Sequence, residues 1–247
     1  MQETLLKEYQ KNGFIIINNF FDKLEINELD IQVKKFLSTK ALELKGKDVN
    51  FTDSKSVNTA HDVDKFDGYF KEFSKKNKVS EIVKFFLSSE IEFRKCEIFA
   101  KPAKVGMASP FHQDNYYWGV KNNNALTMWV ALDNAGKENG GLSYYKGSHM
   151  FGVVDHEDSY APGSSQRIKK DVIEKYSYLE IITPELSKGD ILLHHSLTFH
   201  GSSRNLSNKN RRGFTMQFKD KNAEYDTKHL DHYNSRLNEQ IQFRQNK

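Results

Sequence analysis

The stretch Pro110-Phe-His112-Gln-Asp114-Asn-Tyr-Tyr-Trp118 decides how this chain is read. It is predicted to be a strand over 110–118. Side chains two apart on an extended strand point to one face, so His112 and Asp114 can grip one metal ion from a single edge. His200, far downstream, completes a set of two histidines and one carboxylate. Three such donors on one face of an octahedral ion leave the other positions open, which is how non-haem Fe(II) oxygenases admit a co-substrate and dioxygen. With 9 histidines and 33 acidic residues, His-x-Asp triplets arise by chance, so the weight falls on the ordered set.

The set continues in His200-Gly-Ser-Ser-Arg-Asn-Leu-Ser-Asn-Lys-Asn-Arg211. A guanidinium at the mouth of such a site can hold the distal carboxylate of a keto acid through two parallel hydrogen bonds. Arg211 therefore points to 2-oxoglutarate as co-substrate beside Fe(II) and O2. It also argues against two rivals: a non-haem oxygenase that takes no oxoglutarate, and a non-catalytic metal-binding or ligand-sensing barrel.

Outward from these residues, the segment from Ile91 onward alternates short extended runs with Gly, Pro and Asn, the pattern of an all-β barrel or sandwich. Strands are expected near 92–101, 110–118, 125–132, 141–145, 178–182, 190–194, 197–201 and 212–218. Eight strands fit a jelly roll, with both histidines on strands inside the core and Arg211 opening the last one. The fold class is mainly β with flanking helices (α+β) around a double-stranded β-helix, cupin-like core. Before it, Leu5 to Tyr9 and Lys23 to Leu37 read as helices, the second with apolar Leu24, Ile26, Leu29, Val33 and Phe36 and with Asp22 as N-cap. Phe14-Ile-Ile-Ile reads as a buried strand, and Val79 to Leu87 as a further helix. Residues 43–68 are polar and read as an irregular connection able to act as a lid. Residues 1–247 are thus expected to form one domain: a helical part over 1–90, the jelly roll over 91–220, and an appended helix, about His229 to Ile241, within 221–247.

Composition narrows the class. A length of 247 residues suits a single barrel. The balance of 37 basic against 33 acidic residues gives +4, too even for a polyanionic partner, so no nucleic acid is expected. Lys209-Asn-Arg-Arg212 reads as the turn carrying Arg211. The lone cysteine, Cys96, forbids an internal disulfide and reads as a small buried residue. Met1-Gln-Glu-Thr-Leu-Leu-Lys-Glu-Tyr has no basic segment leading into an apolar run. Apolar runs such as Phe14 to Ile17 fall far short of the roughly 20 residues of a membrane span. A cytoplasmic, soluble protein acting on a small molecule is expected, in an oligomeric state left open.

Four motifs carry a resemblance. Tyr9-Gln-Lys-Asn-Gly13-Phe-Ile-Ile-Ile with Phe20-Phe-Asp-Lys-Leu-Glu-Ile; Met128-Trp-Val-Ala-Leu-Asp133 with Glu138-Asn-Gly-Gly-Leu-Ser-Tyr-Tyr-Lys-Gly-Ser-His149; Lys188-Gly-Asp190-Ile-Leu-Leu-His-His195 leading to His200-Gly; and His112-Gln-Asp114 stand in the order seen in the phytanoyl-CoA dioxygenase family of Fe(II)/2-oxoglutarate oxygenases, which the chain resembles from about 9 to about 218. Lys146, where many relatives have proline, departs from the pattern. The resemblance implies that His112, Asp114 and His200 bind iron, that Arg211 anchors oxoglutarate with Ser202 as hydroxyl partner, and that Trp129 lies beside it. Relatives that halogenate replace the carboxylate with a small residue. Asp114 is present, so hydroxylation or another oxygen-driven oxidation is expected over halogenation. His195 has counterparts in relatives and is a candidate for touching substrate, though a structural role is the plainer reading. In relatives the polar loop Asp155 to Arg167 covers the substrate, which makes Ser165 and Gln166 candidates along with Asn115 and Tyr117. Alternate aromatics of Asn115-Tyr-Tyr-Trp118 and of the Tyr144-Tyr145 pair are expected to face the cavity, with core packing as the bland alternative. This lining favours a small polar metabolite over a CoA ester.

Overall fold

A computed structural model describes residues 2–161 and 163–245; Met1, Asn246, Lys247 and Pro162, the last in the expected polar loop, lie outside the described residues. In chain order its strands are β1 (Phe14–Ile17), β2 (Val49–Phe51), β3 (Val57–Ala60), β4 (Ile91–Phe99), β5 (Ser109–His112), β6 (Ala125–Ala131), β7 (Leu142–Tyr145), β8 (His156–Ala161), β9 (Ser164–Ile168), β10 (Ile181–Ile182), β11 (Ile191–His195), β12 (His200–Ser202) and β13 (Gly213–Asp220). The helices are α1 (Gln2–Asn12), α2 (Lys23–Ser38), α3 (Lys40–Glu43), α4 (Val63–Phe66), α5 (Gly68–Ser74), α6 (Asn77–Leu87), α7 (Asp114–Trp118), α8 (Lys170–Lys175) and α9 (Thr227–Gln245). A seven-stranded sheet in the order β1-β11-β6-β13-β4-β3-β2 faces a four-stranded sheet, β10-β7-β12-β5, and β8 pairs with β9 as a hairpin. The pairings are antiparallel, and the two sheets with their flanking helices make a jelly roll.

Alternation along the strands sorts the large sheet into two faces. Leu126, Met128 and Val130 of β6, Ile191 and Leu193 of β11, and Phe214, Met216 and Phe218 of β13 turn outward onto α2, α5 and α6, where Leu29, Val33, Phe36, Phe70 and Val83 complete the main apolar core. Each such side chain contributes about 1.5–3 kcal/mol by leaving water. The opposite parity, Thr127 and Trp129, His194, Thr215 and Gln217, faces inward and is polar or aromatic. The core that holds the fold and the cavity that does chemistry therefore lie on opposite faces of one sheet.

Helix α2 is entered through Asp22, whose Oδ1 accepts from the backbone of Leu24 at 2.8 Å and Glu25 at 2.9 Å while Glu25 accepts from the Asp22 amide, a reciprocal cap. Leu24 stands outside the expected apolar face, 82% exposed. Cys96 is buried on the helix side of β4. Among the described residues no helix is long and apolar enough to cross a membrane.

Four local expectations are corrected. The strand over 110–118 stops at His112, and Asp114 begins the short helix α7. Asn115 causes the turn: its side chain accepts from the Val120 amide and donates to the Val120 carbonyl and to Asn123, and Gly119 closes the helix at φ +59°. Residues 43–68 are not an irregular connection, because Val49, Val57, Ala60 and Val63 give the polar run enough apolar side chains to add a hairpin to the β4 edge. The stretch 155–167 is likewise a hairpin, with His156 opposite Ile168. The strand expected at 197–201 begins at His200, after a turn in which Thr198 donates back to His195.

Gly213 opens β13 against the Trp129 ring, and a Cβ there would lie 2.1 Å from Trp129 Cε2. Gly213→Ala should cost about 1–3 kcal/mol through overpacking. Equilibrium denaturation reads this directly, and an unchanged midpoint would show that the ring is free to move aside.

Candidate metal and co-substrate site

His200 and His112 are cross-strand partners, His200 being paired with His112 on one side and with Tyr144 on the other. That register places the two imidazoles side by side, ring centres 4.3 Å apart. Each ring donates its Nδ1 hydrogen to a backbone carbonyl two residues earlier, His112 to Pro110 at 2.8 Å and His200 to Thr198 at 2.9 Å. The tautomer this fixes leaves both Nε2 lone pairs free. They face Asp114 Oδ1 at 3.8 and 3.6 Å. One atom from each of the three residues thus lies within 4.8 Å of the others.

The carboxylate is held from behind. Asp114 Oδ2 accepts from the Thr127 hydroxyl at 2.6 Å and from His194 Nε2 at 3.0 Å, and the Tyr144 hydroxyl donates to His194 Nδ1 at 3.1 Å. Burial lowers the pKa of His112, and that of His200 further, keeping the imidazoles in the neutral form a metal needs. Burial alone would raise Asp114, but the facing His200 and the hydrogen bond from His194 outweigh it and keep the carboxylate ionised. Two neutral imidazoles and one carboxylate, each oriented through its other polar atom, fit a divalent cation.

Beside these donors lies an unneutralised basic pair. Arg211 is 2% exposed and gives Nε and Nη2 to the Gly140 carbonyl at 3.0 and 2.5 Å, with its guanidinium 5.7 Å from the Trp129 ring centre. Lys101, 3% exposed, donates to Ser202 Oγ at 2.6 Å and to the Ser203 and Gly140 carbonyls. Burial, with Arg211 close by, pushes the Lys101 ammonium down to about 5, and burial pushes Arg211 down to about 10. The adjacent Arg212 is the contrast: Asp133 and Asp30 saturate it at 2.6–2.9 Å. Trp129 Nε1 is buried without a partner among the described residues. Two buried basic groups and an orphaned indole N–H fit a carboxylate arriving from outside.

These groups line a cavity of about 280 Å3 between the sheets. Among the sequence candidates, His112, Asp114, His200, Arg211, Ser202, Trp129, Tyr117 and Ser165 are brought to it. Tyr117 stands 5.5 Å from the His112 ring, and Ser165 Oγ lies 3.3 Å from the Tyr233 hydroxyl. Three are not. Asn115 is turned into its own turn, and the Gln166 amide is taken by Asp158 at 2.7 Å. His195 shares the parity of Leu193, so it points away, beside Tyr9 and His149. Of the aromatics expected to face the cavity, Tyr117 and Trp118 line it, whereas neither Tyr144 nor Tyr145 does: Tyr144 stacks on His200 and Tyr145 packs against Phe111 and Phe199.

Sequence reading missed His194, Lys101, His61, Glu97, Arg94 and Tyr233. For His194 the run Ile-Leu-Leu-His-His carries no sign of which parity faces the helices. Lys101 had a signal, a cation directly after the apolar Ile98-Phe-Ala. Tyr233 lies on α9, which is not a mere appendage, since Tyr233 and Leu237 close one wall of the cavity.

The sequence model of the family described as phytanoyl-CoA dioxygenase matches residues 9–213. The chain belongs to the phytanoyl-CoA dioxygenase family of Fe(II)/2-oxoglutarate-dependent oxygenases. It is similar to the peroxisomal phytanoyl-CoA dioxygenase of Bos taurus, 25% identical over 232 residues covering 89% of this chain and 68% of that one. Its fold is similar to that of EctD from S. alaskensis, solved with 2-oxoglutarate and 5-hydroxyectoine, at a TM-score of 0.75 and 17% identity over 90% of this chain and 77% of that one. The epimerase SnoN from nogalamycin biosynthesis, in complex with Fe3+, alpha ketoglutarate and nogalamycin RO, matches with a TM-score of 0.74 and 19% identity over 91% and 85% of the two chains. At these identities the structural likeness is one of fold. The residues that this phytanoyl-CoA dioxygenase family member brings together are nonetheless specific enough to test.

His194→Ala removes one of the two hydrogen bonds on Asp114 Oδ2 and should weaken iron binding about 10–100-fold, read by competition with a chelator while circular dichroism verifies the fold. An unchanged affinity would show that Thr127 alone fixes the carboxylate. Glu97 gives the pH test. Burial would raise it, but Lys95 at 2.7 Å and His61 at 2.6 Å bring it from 4.5 down to about 2. A depressed carboxyl stabilises the fold above its unfolded pKa, and that contribution disappears as pH falls through the folded value. Acid unfolding of Glu97→Gln should accordingly show a shallower loss of stability between about pH 4.5 and 2 than wild type.

Proposed function

We propose that the protein is an Fe(II)/2-oxoglutarate-dependent dioxygenase that hydroxylates an unactivated C–H bond of a small polar metabolite and releases succinate and carbon dioxide. One observation carries the reading. Two imidazole Nε2 atoms and one carboxylate oxygen converge with their other polar atoms already bonded, next to buried basic groups that make no ion pair with a carboxylate among the described residues.

His112, Asp114 and His200 would hold the iron, which when bound supplies the oxidative decarboxylation of the keto acid by dioxygen and the C–H oxidation. Arg211 binds the distal carboxylate of 2-oxoglutarate. Ser202 and Lys101 donate to the same group, and its charge favours the protonated Lys101 ammonium. Trp129 walls the co-substrate and offers its free indole N–H. His194 and Thr127 keep Asp114 turned toward the metal. Asp114 fills the third ligand position, which supports oxygen transfer over halogenation. Gly213 and Trp129 pack tightly at the co-substrate end, where a Cβ at Gly213 would meet the indole. A volume of about 280 Å3 is small for a ligand site, which supports a small metabolite and disfavours enclosing a CoA ester. The SnoN fold carries an epimerase, so the outcome of the reaction rests on where the substrate's C–H bond is held.

Anaerobic titration of metal-free protein with Fe(II) and 2-oxoglutarate should develop the visible charge-transfer band of a chelated keto acid. Arg211→Ala should raise the 2-oxoglutarate needed for half of that band by about tenfold or more, the worth of one charge-assisted hydrogen bond. Iron binding without the band, in wild type, would overturn the co-substrate reading. A succinate-release screen over small metabolites then tests turnover.

A further inference from the structure

We infer that Arg94 recognises the substrate, and that the metabolite oxidised here carries an anionic group, a carboxylate or a phosphonate, at its end remote from the iron. The inference rests on the oxygenase reading above and narrows its substrate class.

A β-bulge puts Arg94 where it is. On β4, Phe93 is paired with Phe218 and faces the helices, whereas Lys95 is paired with Gln217 and faces the cavity; Arg94 is the extra residue between them. Regular alternation would send one of two successive residues to each face. The bulge lets both basic side chains line the cavity. Lys95 is neutralised there by Glu97 at 2.7 Å and Asp62 at 3.8 Å.

Arg94 is not neutralised. Its guanidinium lies 4.7 Å from the Trp118 ring centre and 5.6 Å from that of Tyr225, and Nη1 donates to the Tyr225 hydroxyl at 2.9 Å. Nε is buried without a partner, and among the described residues no carboxylate pairs with this group. A partly buried guanidinium whose direct contacts are aromatic and hydroxyl, with Asp114 and Glu97 acting on it only from beyond ion-pair distance, keeps donors that an incoming anion can take.

The charge of the cavity agrees. Five basic and three carboxylate side chains line it. Iron(II) and doubly ionised 2-oxoglutarate cancel each other, so a positive excess remains for the substrate, even with Lys101 counted as neutral. A second orphan refines the picture. The Gln217 amide donates to Glu97 at 2.8 Å, which leaves its Oε1 buried and unpaired. Gln217 stands in register with Thr127, the residue that holds Asp114, and with Lys95 on the other side. At about 4.8 Å per strand, Arg94 lies roughly 10 Å across the sheet from Thr127, with the Gln217 acceptor midway. A short molecule with a hydroxyl or amino donor in its middle and an anion at its far end matches this row.

Arg94 could instead serve only to brace Trp118 against Tyr225, and the test separates the two roles. Protein loaded with Fe(II) and excess 2-oxoglutarate under anaerobic conditions, which occupies the Arg211 end, is titrated with acetate, phosphate and methylphosphonate and with uncharged acetamide. Tryptophan fluorescence reports binding, because Trp118 lies under the guanidinium. The charge-transfer band certifies loading. We expect saturable responses to the anions at concentrations at least tenfold below any response to acetamide, lost in Arg94→Gln and partly retained in Arg94→Lys; the order of acetate and methylphosphonate names the favoured anion. A loaded protein that shows no anion response up to tens of millimolar, or an anion response unchanged in Arg94→Gln, overturns the inference and leaves Arg94 a brace. Absence of the band in wild type is a different failure, that of the oxygenase reading, and it removes this inference as well.

Discussion

The Asp114 carboxylate joins the two sheets of this protein, and the site depends on that junction. One oxygen is fixed by Thr127 and His194, both on the large sheet; the other faces His112 and His200, neighbours on the small one. A displacement of either sheet separates the oxygen from the imidazoles it must meet. Its position at the start of α7 is set in turn by the Asn115 turn and by the Asn115 amide, which donates to the Ser196 carbonyl at 2.9 Å. In a buried setting each of these hydrogen bonds is stronger than it would be in water, and each lost one leaves an unpaired group behind.

The apolar core leaves the jelly-roll interior free to be polar. Phe214, Met216 and Phe218 pack on helices outside the large sheet, so their neighbours of opposite parity need not supply packing energy. They can be chosen for chemistry. Most of them are satisfied by each other, as in the Glu97, His61, Lys95 and Gln217 cluster. The unpaired atoms that remain include Trp129 Nε1, Gln217 Oε1 and Arg94 Nε, all on cavity-lining residues. At about 1–3 kcal/mol for each unsatisfied polar group, these three are sites that a bound ligand can complete.

Much of this was legible in the sequence. Period-two alternation bounded by Gly and Pro located most of the strands of the two main sheets from Ile91 onward, though not the β8–β9 hairpin, and the residue types of His112, Asp114, His200 and Arg211 named a chemistry. What was not legible has physical causes. A run such as Asn115-Tyr-Tyr-Trp118 has strand composition, yet one asparagine side chain bonding to the backbone at Val120 turned it into a helix. Ile191 to His195 shows alternation but not its phase, so the choice between His194 and His195 depended on which face the helices cover. Arg94 and Lys95 reach one face only through a bulge, which local sequence does not announce. The hairpin at 49–60 was hidden because its few valines and alanine lie among polar residues that remain in the strands.

The proposed co-substrate end and the proposed substrate end are built from different kinds of parts. Lys101, Trp129, Ser202 and Arg211 lie within the 9–213 span shared with the family, on strands or at strand ends packed against the main core. The opposite wall draws on Tyr233 and Leu237 of α9, beyond that span, and on Ser164 and Ser165 of the β8–β9 hairpin, which pairs with neither main sheet. α9 is tied to the hairpin by polar bonds, Arg236 and Gln240 to Asp158, and by the Tyr160–Phe243 ring contact, and not by the main apolar core. Side chains so placed can change without disturbing the sheets that hold Asp114 in register. The opposite wall can therefore change with little effect on the ligand set, and the bulged Arg94 sits on the boundary, fixed by a core strand but facing that wall.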